Sequence, residues 1–183
     1  AYTDVANFGE RGLDPPLSVP GRHQADRLGR RLAAAAVSSV WASDLTRARQ
    51  TAEIAAAHLP GVAVAEDPRL REVRTHWAEG QVPPEPPEPR PPDYYPFLEE
   101  ASAVVERAHA VVLDIARDLE RSGAYRAAAV THAGVIGIYA SHLLGTPYGM
   151  PILPQYTSVT VLRVKGDRVV LESLADLSHL AGE

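Results

Sequence analysis

Cysteine is absent from this chain. Disulfides, thiolate zinc sites and a cysteine nucleophile are thereby excluded, and a reducing cytoplasm becomes the expected compartment. Long hydrophobic runs are also missing. Nothing approaches the ~18 consecutive apolar residues of a membrane helix, so no membrane partner is expected. Basic charge is not in excess: the net charge is −5. That argues against nucleic acid as a partner bound through a positive field. Seven histidines are present, yet none forms an H-x-x-x-H pair. A zinc site of histidine and carboxylate ligands is therefore not expected, and no metal or other cofactor is called for. There is no internal repeat.

What remains is ordinary globular material, 45% hydrophobic and 22% charged. A length of 183 residues suits one domain, 1–183, with a real core. One segment is biased. Val82 to Pro96 reads VPPEPPEPRPPDYYP, with eight prolines in fifteen residues. Proline forbids helix and central strand, so a stiff, extended surface loop is expected, one that could also dock on an aromatic-lined partner. Elsewhere strands and helices alternate. Gly21 to Ala36 reads as a helix with Ala25, Leu28, Leu32 and Ala36 along one stripe, Ser18 as N-cap and Pro20 in the first turn. Val37 to Ala42 reads as a strand, after which Ser43 caps a helix from Leu45 to His58. Val62 to Ala65 is a short strand. Phe97 to Ser122 is a long helix with Val104, Val105, Ala108, Val112 and Ile115 inward. Arg126 to Thr131 reads as a buried strand leading to a helix from Val135 to Leu144. Ser158 to Val164 and Arg168 to Leu174 alternate around Lys165-Gly166-Asp167, a hairpin signal. This order predicts a three-layer α/β/α fold with a mainly parallel central sheet and a C-terminal hairpin.

In open α/β sheets, sites form beyond the carboxyl ends of strands. Two such ends carry suggestive residues. In WASDLTRARQTA, Arg47 lies in the first turns of a helix whose N-terminus offers free N–H groups and a positive dipole end. There it reads either as a fork for phosphate oxygens or as a surface helix residue. Arg49, two residues on, points elsewhere. In AAAVTHAGVIG, His132 arrives at a strand end next to a helix start. It reads either as a donor to an oxyanion or as a capping or buried histidine. Together the two ends make an anion pocket the economical reading. In RLREVRTHWAEG, Glu72 follows the third strand. A carboxyl group there could protonate a leaving alkoxide, with Glu79 as its rival.

Taken together, these stretches resemble the histidine phosphatase superfamily, the phosphoglycerate-mutase-like phosphatases. PLSVPGRHQA resembles the family's PLTxxGxxQA helix start, and SDLTRARQTAEIA its SxLxRAxQTA segment. RLREV resembles the segment carrying its acidic residue. VTHAGVIG resembles its second-histidine motif, with Ala133 in place of the first glycine. The resemblance runs from Leu17 to about Leu174. It implies phosphomonoester hydrolysis through a phosphohistidine, with catalysis by charge and position rather than by a metal. Carried over residue by residue, Arg47 clamps phosphate, His132 is the second phosphate-binding histidine and Glu72 is the proton donor. The implied partner is a small-molecule phosphate ester. The short, proline-rich region after Glu72 favours a phosphatase over a mutase.

One family element has no counterpart. The nucleophile belongs to an R-H-G motif at the end of a central strand, and no such motif occurs in the sequence. Arg22-His23 follows PLSVPG on the first helix and is a decoy. Gly9-Glu10-Arg11-Gly12 contains no histidine. Burying four or five side chains of such a strand is worth about 1.5–3 kcal/mol each. That sum is comparable to a whole domain's stability of about 5–15 kcal/mol. The expectation is that the strand and its histidine precede Ala1. The alternative is a pseudophosphatase that binds phosphorylated ligands or proteins without turnover, or a scaffold using the proline-rich loop. Asn7, Arg11 and Trp77 are candidate substrate contacts. Tyr94, Tyr95, Tyr148 and Tyr156 are candidates for stacking on the leaving group. The sequence assigns no oligomeric state.

Overall fold

The structure, a computed structural model, describes residues 14–74, 99–146, 152 and 154–181. The proline-rich stretch lies outside the described residues, as do Asn7, Arg11, Trp77, Glu79, Tyr94, Tyr95 and Tyr148.

The first helix, α1 (Val19–Ala34), begins as its sequence predicts. The Ser18 hydroxyl accepts the Gly21 amide at 3.2 Å, and Pro20 occupies the first turn. Its buried face is Gly21, Ala25, Leu28, Gly29 and Leu32. Ala36 does not extend the stripe. It turns into the left-handed region at φ 54°, while its own amide bonds to Ala33 and the Val37 amide to Leu32. Those two bonds close the helix in the way a glycine usually does, with an alanine in the left-handed position. Strand β1 (Ser39–Ala42) follows, then α2 (Thr46–Ala56) and β2 (Val64–Glu66). Gly29 lets α1 and α2 approach. A Cβ there would lie 2.4 Å from His58 Cδ2 and 2.8 Å from the Ala55 carbonyl oxygen.

A single turn, Pro68–Leu70, leads toward the site; α3 (Ala101–Ser122) and β3 (Ala127–Val130) come later. On α3 the buried residues are Val104, Val105, Ala108, Val111 and Ile115. Val111 takes the inward place predicted for Val112, which is partly buried. Helix α4 (Ala133–Leu144) starts two residues before the expected Val135. Strands β4 (Val159–Lys165) and β5 (Arg168–Asp176) form the expected hairpin, with Gly166 at φ 59° in the turn. No helix among the described residues is long and apolar enough to cross a membrane.

The parallel sheet has the order β2-β1-β3, with Val40 opposite both Val64 and Ala128. Among the described residues the hairpin pairs only with itself, as a second, antiparallel sheet. A buried strand is expected at Arg126 to Thr131, but none of Ala127, Ala128, Ala129 and Val130 is fully buried, because β3 lines a cleft of about 1450 Å³. Residues of β3 and β4 line this cleft, with Leu28, Leu32, Ile115 and Val135 contributing from helices. The packed core lies on either side of it. One part joins α1, α2 and β1; another joins α3, α4 and Val73. The chain's last described turn folds back on α1: Arg27 donates to the Leu180 carbonyl, and Arg31 meets Asp176 at 2.5 Å.

Candidate active site

The carboxyl ends of β1 and β3 and the loop after β2 converge at one end of the cleft. Ser43, directly after β1, is fully buried. Its hydroxyl accepts the Leu45 amide at 3.3 Å, just ahead of α2, and also lies 3.0 Å from Nε2 of His132, two residues after β3. The start of α2 is capped from a distance. The Thr46 amide donates to both Asp14 carboxylate oxygens, at 2.8 and 2.9 Å, and the Thr46 hydroxyl donates to one of them at 2.7 Å. An acid at a helix N-terminus satisfies free N–H groups and favours the dipole. It also lies 3.7 Å from the Arg47 guanidinium.

Arg47 enters the cleft from the first turn of α2, while Arg49 faces outward toward Glu53 at 3.9 Å. Burial lowers the Arg47 pKa, opposed by the negative charge of Glu72 and Asp14 and by Tyr156. His132 is 7% exposed. Burial, then the positive charges of Arg47 and Arg107, hold its pKa well below the ordinary 6.5. One ring nitrogen faces the Ser43 hydroxyl, and the residue lines the cleft beside Arg47.

Glu72 faces the same space. Burial raises its pKa above the ordinary 4.5, against the lowering effect of N–H groups of Val73 and Gly134 and of Arg47 and Arg107. The Val73 amide donates to its Oε1 at 2.9 Å. Gly134 allows the carboxyl group in: a Cβ there would lie 2.6 Å from Glu72 Oε1 and 2.8 Å from Val73 Cγ2. Of the two small residues after His132, Ala133 tolerates a methyl and Gly134 does not. The site thus holds a cation fixed by its helix, a buried histidine and a carboxyl group biased toward its protonated form. Such a set can bind a phosphoryl group and protonate what leaves it.

The structure brings Arg47, Glu72 and His132 together, as the sequence predicts, and leaves Arg22 and His23 exposed on α1. Tyr156 lines the same cleft. Asn7, Arg11 and Trp77 lie outside the described residues. Among the described residues no group of three or more histidines and carboxylates gathers as a metal site would. Two contributions carry little local signal: the contact of Ser43 with His132, and Asp14, an acid directly before a proline pair.

An α/β sheet with a cation, a histidine and a carboxyl group at its strand ends defines a phosphate-handling type of site. The comparisons with known proteins narrow the class. The chain belongs to the histidine phosphatase superfamily, branch 1, whose profile matches residues 5–177. It is 34% identical over 180 residues to phosphoglycerate mutase-like protein 4 of Arabidopsis thaliana, covering 92% of this chain and 77% of that one. It is 29% identical over 190 residues to a probable phosphoglycerate mutase GpmB of Klebsiella pneumoniae, covering 91% and 84%. Among solved structures, YhfR of Bacillus stearothermophilus matches with a TM-score of 0.76 at 26% identity, over 98% of this chain and 95% of that one. A mycobacterial glucosyl-3-phosphoglycerate phosphatase shares the fold, with a TM-score of 0.73 at 24% identity over 94% of each chain.

Proposed function

We propose that this protein hydrolyses small phosphomonoesters without a metal, through a phosphohistidine. The observation that carries the reading is the convergence of Arg47, Glu72 and His132 at one end of the cleft. In the first step a histidine nitrogen attacks phosphorus and the bond from phosphorus to the ester oxygen breaks. Glu72 gives its proton to the departing alkoxide. In the second step water attacks phosphorus, the phosphorus–nitrogen bond breaks, and Glu72 takes back a proton. Arg47 and His132 hold the non-bridging oxygens as charge shifts across them.

The mechanism needs a nucleophilic histidine beside His132 and Arg47. Quenching the natively expressed protein during turnover of a phosphate ester, followed by mass spectrometry of its peptides, tests it. An acid-labile, alkali-stable phosphohistidine supports the mechanism, and turnover without one refutes it. The natively expressed protein should hydrolyse p-nitrophenyl phosphate, and Arg47→Ala should abolish both turnover and binding of inorganic phosphate. Undiminished phosphate binding in that variant would sink the reading. Binding that needs Arg47, without turnover in the parent protein, would support the pseudophosphatase instead.

A further inference from the structure

Glu72 stands on a short loop that is restrained at successive residues. The Thr131 hydroxyl donates to the Leu70 carbonyl at 2.8 Å. The Arg71 guanidinium forks onto the Asp44 carboxylate, at 2.7 and 2.5 Å. The strongest restraint comes from α3. There Arg107, at the border of the apolar face, donates from Nη1 to the carbonyls of both Arg69 and Arg71. Its remaining donors grip Glu99 through Nε at 2.7 Å and Nη2 at 3.1 Å. Arg107 and Glu99 are each 17% exposed, so the pair is largely shielded from water. Glu99 also receives the Arg74 amide, at 3.4 Å. One planar guanidinium therefore fixes the backbone on both sides of Leu70 and ties it to the chain where it returns at residue 99.

The geometry points to Arg107 as a positioning residue for Glu72, with Glu99 as its anchor: the pair sets how well a strongly basic leaving alkoxide is protonated. This inference rests on the phosphatase reading. A planar five-donor fork is needed for the role, because two carbonyls and one carboxylate are bound at once. Lysine can reach one or two of these acceptors. Arg107 touches no reacting atom; it acts through the placement of the Glu72 carboxyl group.

The test compares two esters with the natively expressed protein. The phenolate of p-nitrophenyl phosphate departs without a proton, whereas the alkoxide of glycerol phosphate needs one. Arg107→Gln should lower kcat/KM, which reads the ester-cleaving first step, on glycerol phosphate roughly 100-fold, the effect of displacing a reacting group by about 1 Å. On p-nitrophenyl phosphate the loss should be a few-fold at most. Arg107→Lys should recover part of the alkyl activity. Thr131→Val, which removes only the Leu70 restraint, should show the same selectivity on a smaller scale. Adding Arg107→Gln to Glu72→Gln should cost nothing further. Equal losses on both esters, or losses that add in the double variant, would overturn the assignment by showing a purely structural role. If the parent protein hydrolyses neither ester, the phosphatase reading itself fails and the inference falls with it.

Discussion

Replacing Gly134 with alanine puts one methyl group where the site has no room for it. The new Cβ would stand 2.6 Å from Glu72 Oε1, against about 3.4 Å for ordinary contact, so something must move by about 0.8 Å. Val73 Cγ2, at 2.8 Å, blocks a second escape. The loop cannot simply retreat, because Arg107 and Thr131 hold Arg69, Leu70 and Arg71 by their carbonyls. Overpacking of this kind costs about 1–3 kcal/mol. Alanine is a better helix former than glycine by up to about 1 kcal/mol, less in a first turn, which offsets part of the cost. A net loss of about 1–2 kcal/mol is expected, a fall in Tm of about 2–8 °C for a chain of this size. Activity should suffer more than stability. A carboxyl group pushed by most of an ångström should lose about 10- to 100-fold in kcat on an alkyl phosphate. Circular-dichroism melting and steady-state kinetics read the two effects. The neighbouring change Ala133→Gly is the control, and should cost only about 0.5–1 kcal/mol of helix propensity. Wild-type melting and wild-type turnover in Gly134→Ala would refute the steric argument.

Three further outcomes follow from the same geometry. Burial raises the Glu72 pKa above 4.5, so its contribution to stability is fully present below that pH and lost as pH rises through the native value. Glu72→Gln should therefore be inactive on alkyl esters yet gain stability over the parent at about pH 7.5 relative to about pH 4.5 in urea titrations; a constant difference would contradict this. Burial lowers the His132 pKa well below 6.5, so the native state loses stability as pH falls from 6.5, where the unfolded chain takes up a proton and the native one does not. His132→Gln should flatten that slope, and NMR should find the His132 ring neutral at about pH 6.5 but drawn toward its protonated form by added phosphate. Ser43→Ala should leave phosphate binding measurable but weakened, since the His132 ring loses the partner that orients it; unchanged binding would show that the 3.0 Å contact orients nothing.

Much of this was legible in the sequence, for identifiable reasons. The helical stripes of α1 and α3 and the hairpin around Gly166 follow from periodicity and turn chemistry, which are local. Arg47 and His132 stand out in the sequence because each lies near the carboxyl end of a strand, at or just before the first turn of the following helix. Most of what is not legible is a matter of distant partnership. Ser43 reads as a cap and does accept the Leu45 amide, but its second partner, His132, lies 89 residues away. Asp14 caps a helix 32 residues on. Arg107 interrupts an apolar helix face by one position, but the carbonyls it holds lie 36 and 38 residues earlier. Ala36 closes α1 without the glycine that usually announces a stop. The exposure of β3 depends on which strand stands beside it, which its own apolar composition does not reveal.

The clamp between α1 and the C-terminal turn also sets a schedule for biosynthesis. Arg31 and Asp176 are separated by 145 residues. At roughly 5–20 residues per second on the ribosome, Asp176 is made about 7–29 s after Arg31. The Arg27 partner, the Leu180 carbonyl, comes 153 residues after it. Throughout that interval the Asp176 carboxylate and the Leu180 carbonyl are not yet there for α1 to meet. The pairing of β1 with β2 needs only the early chain, whereas its pairing with β3 waits for Ala127. The contact between residues 27–31 and 176–180 is therefore among the last of the described contacts to become possible as the chain is made.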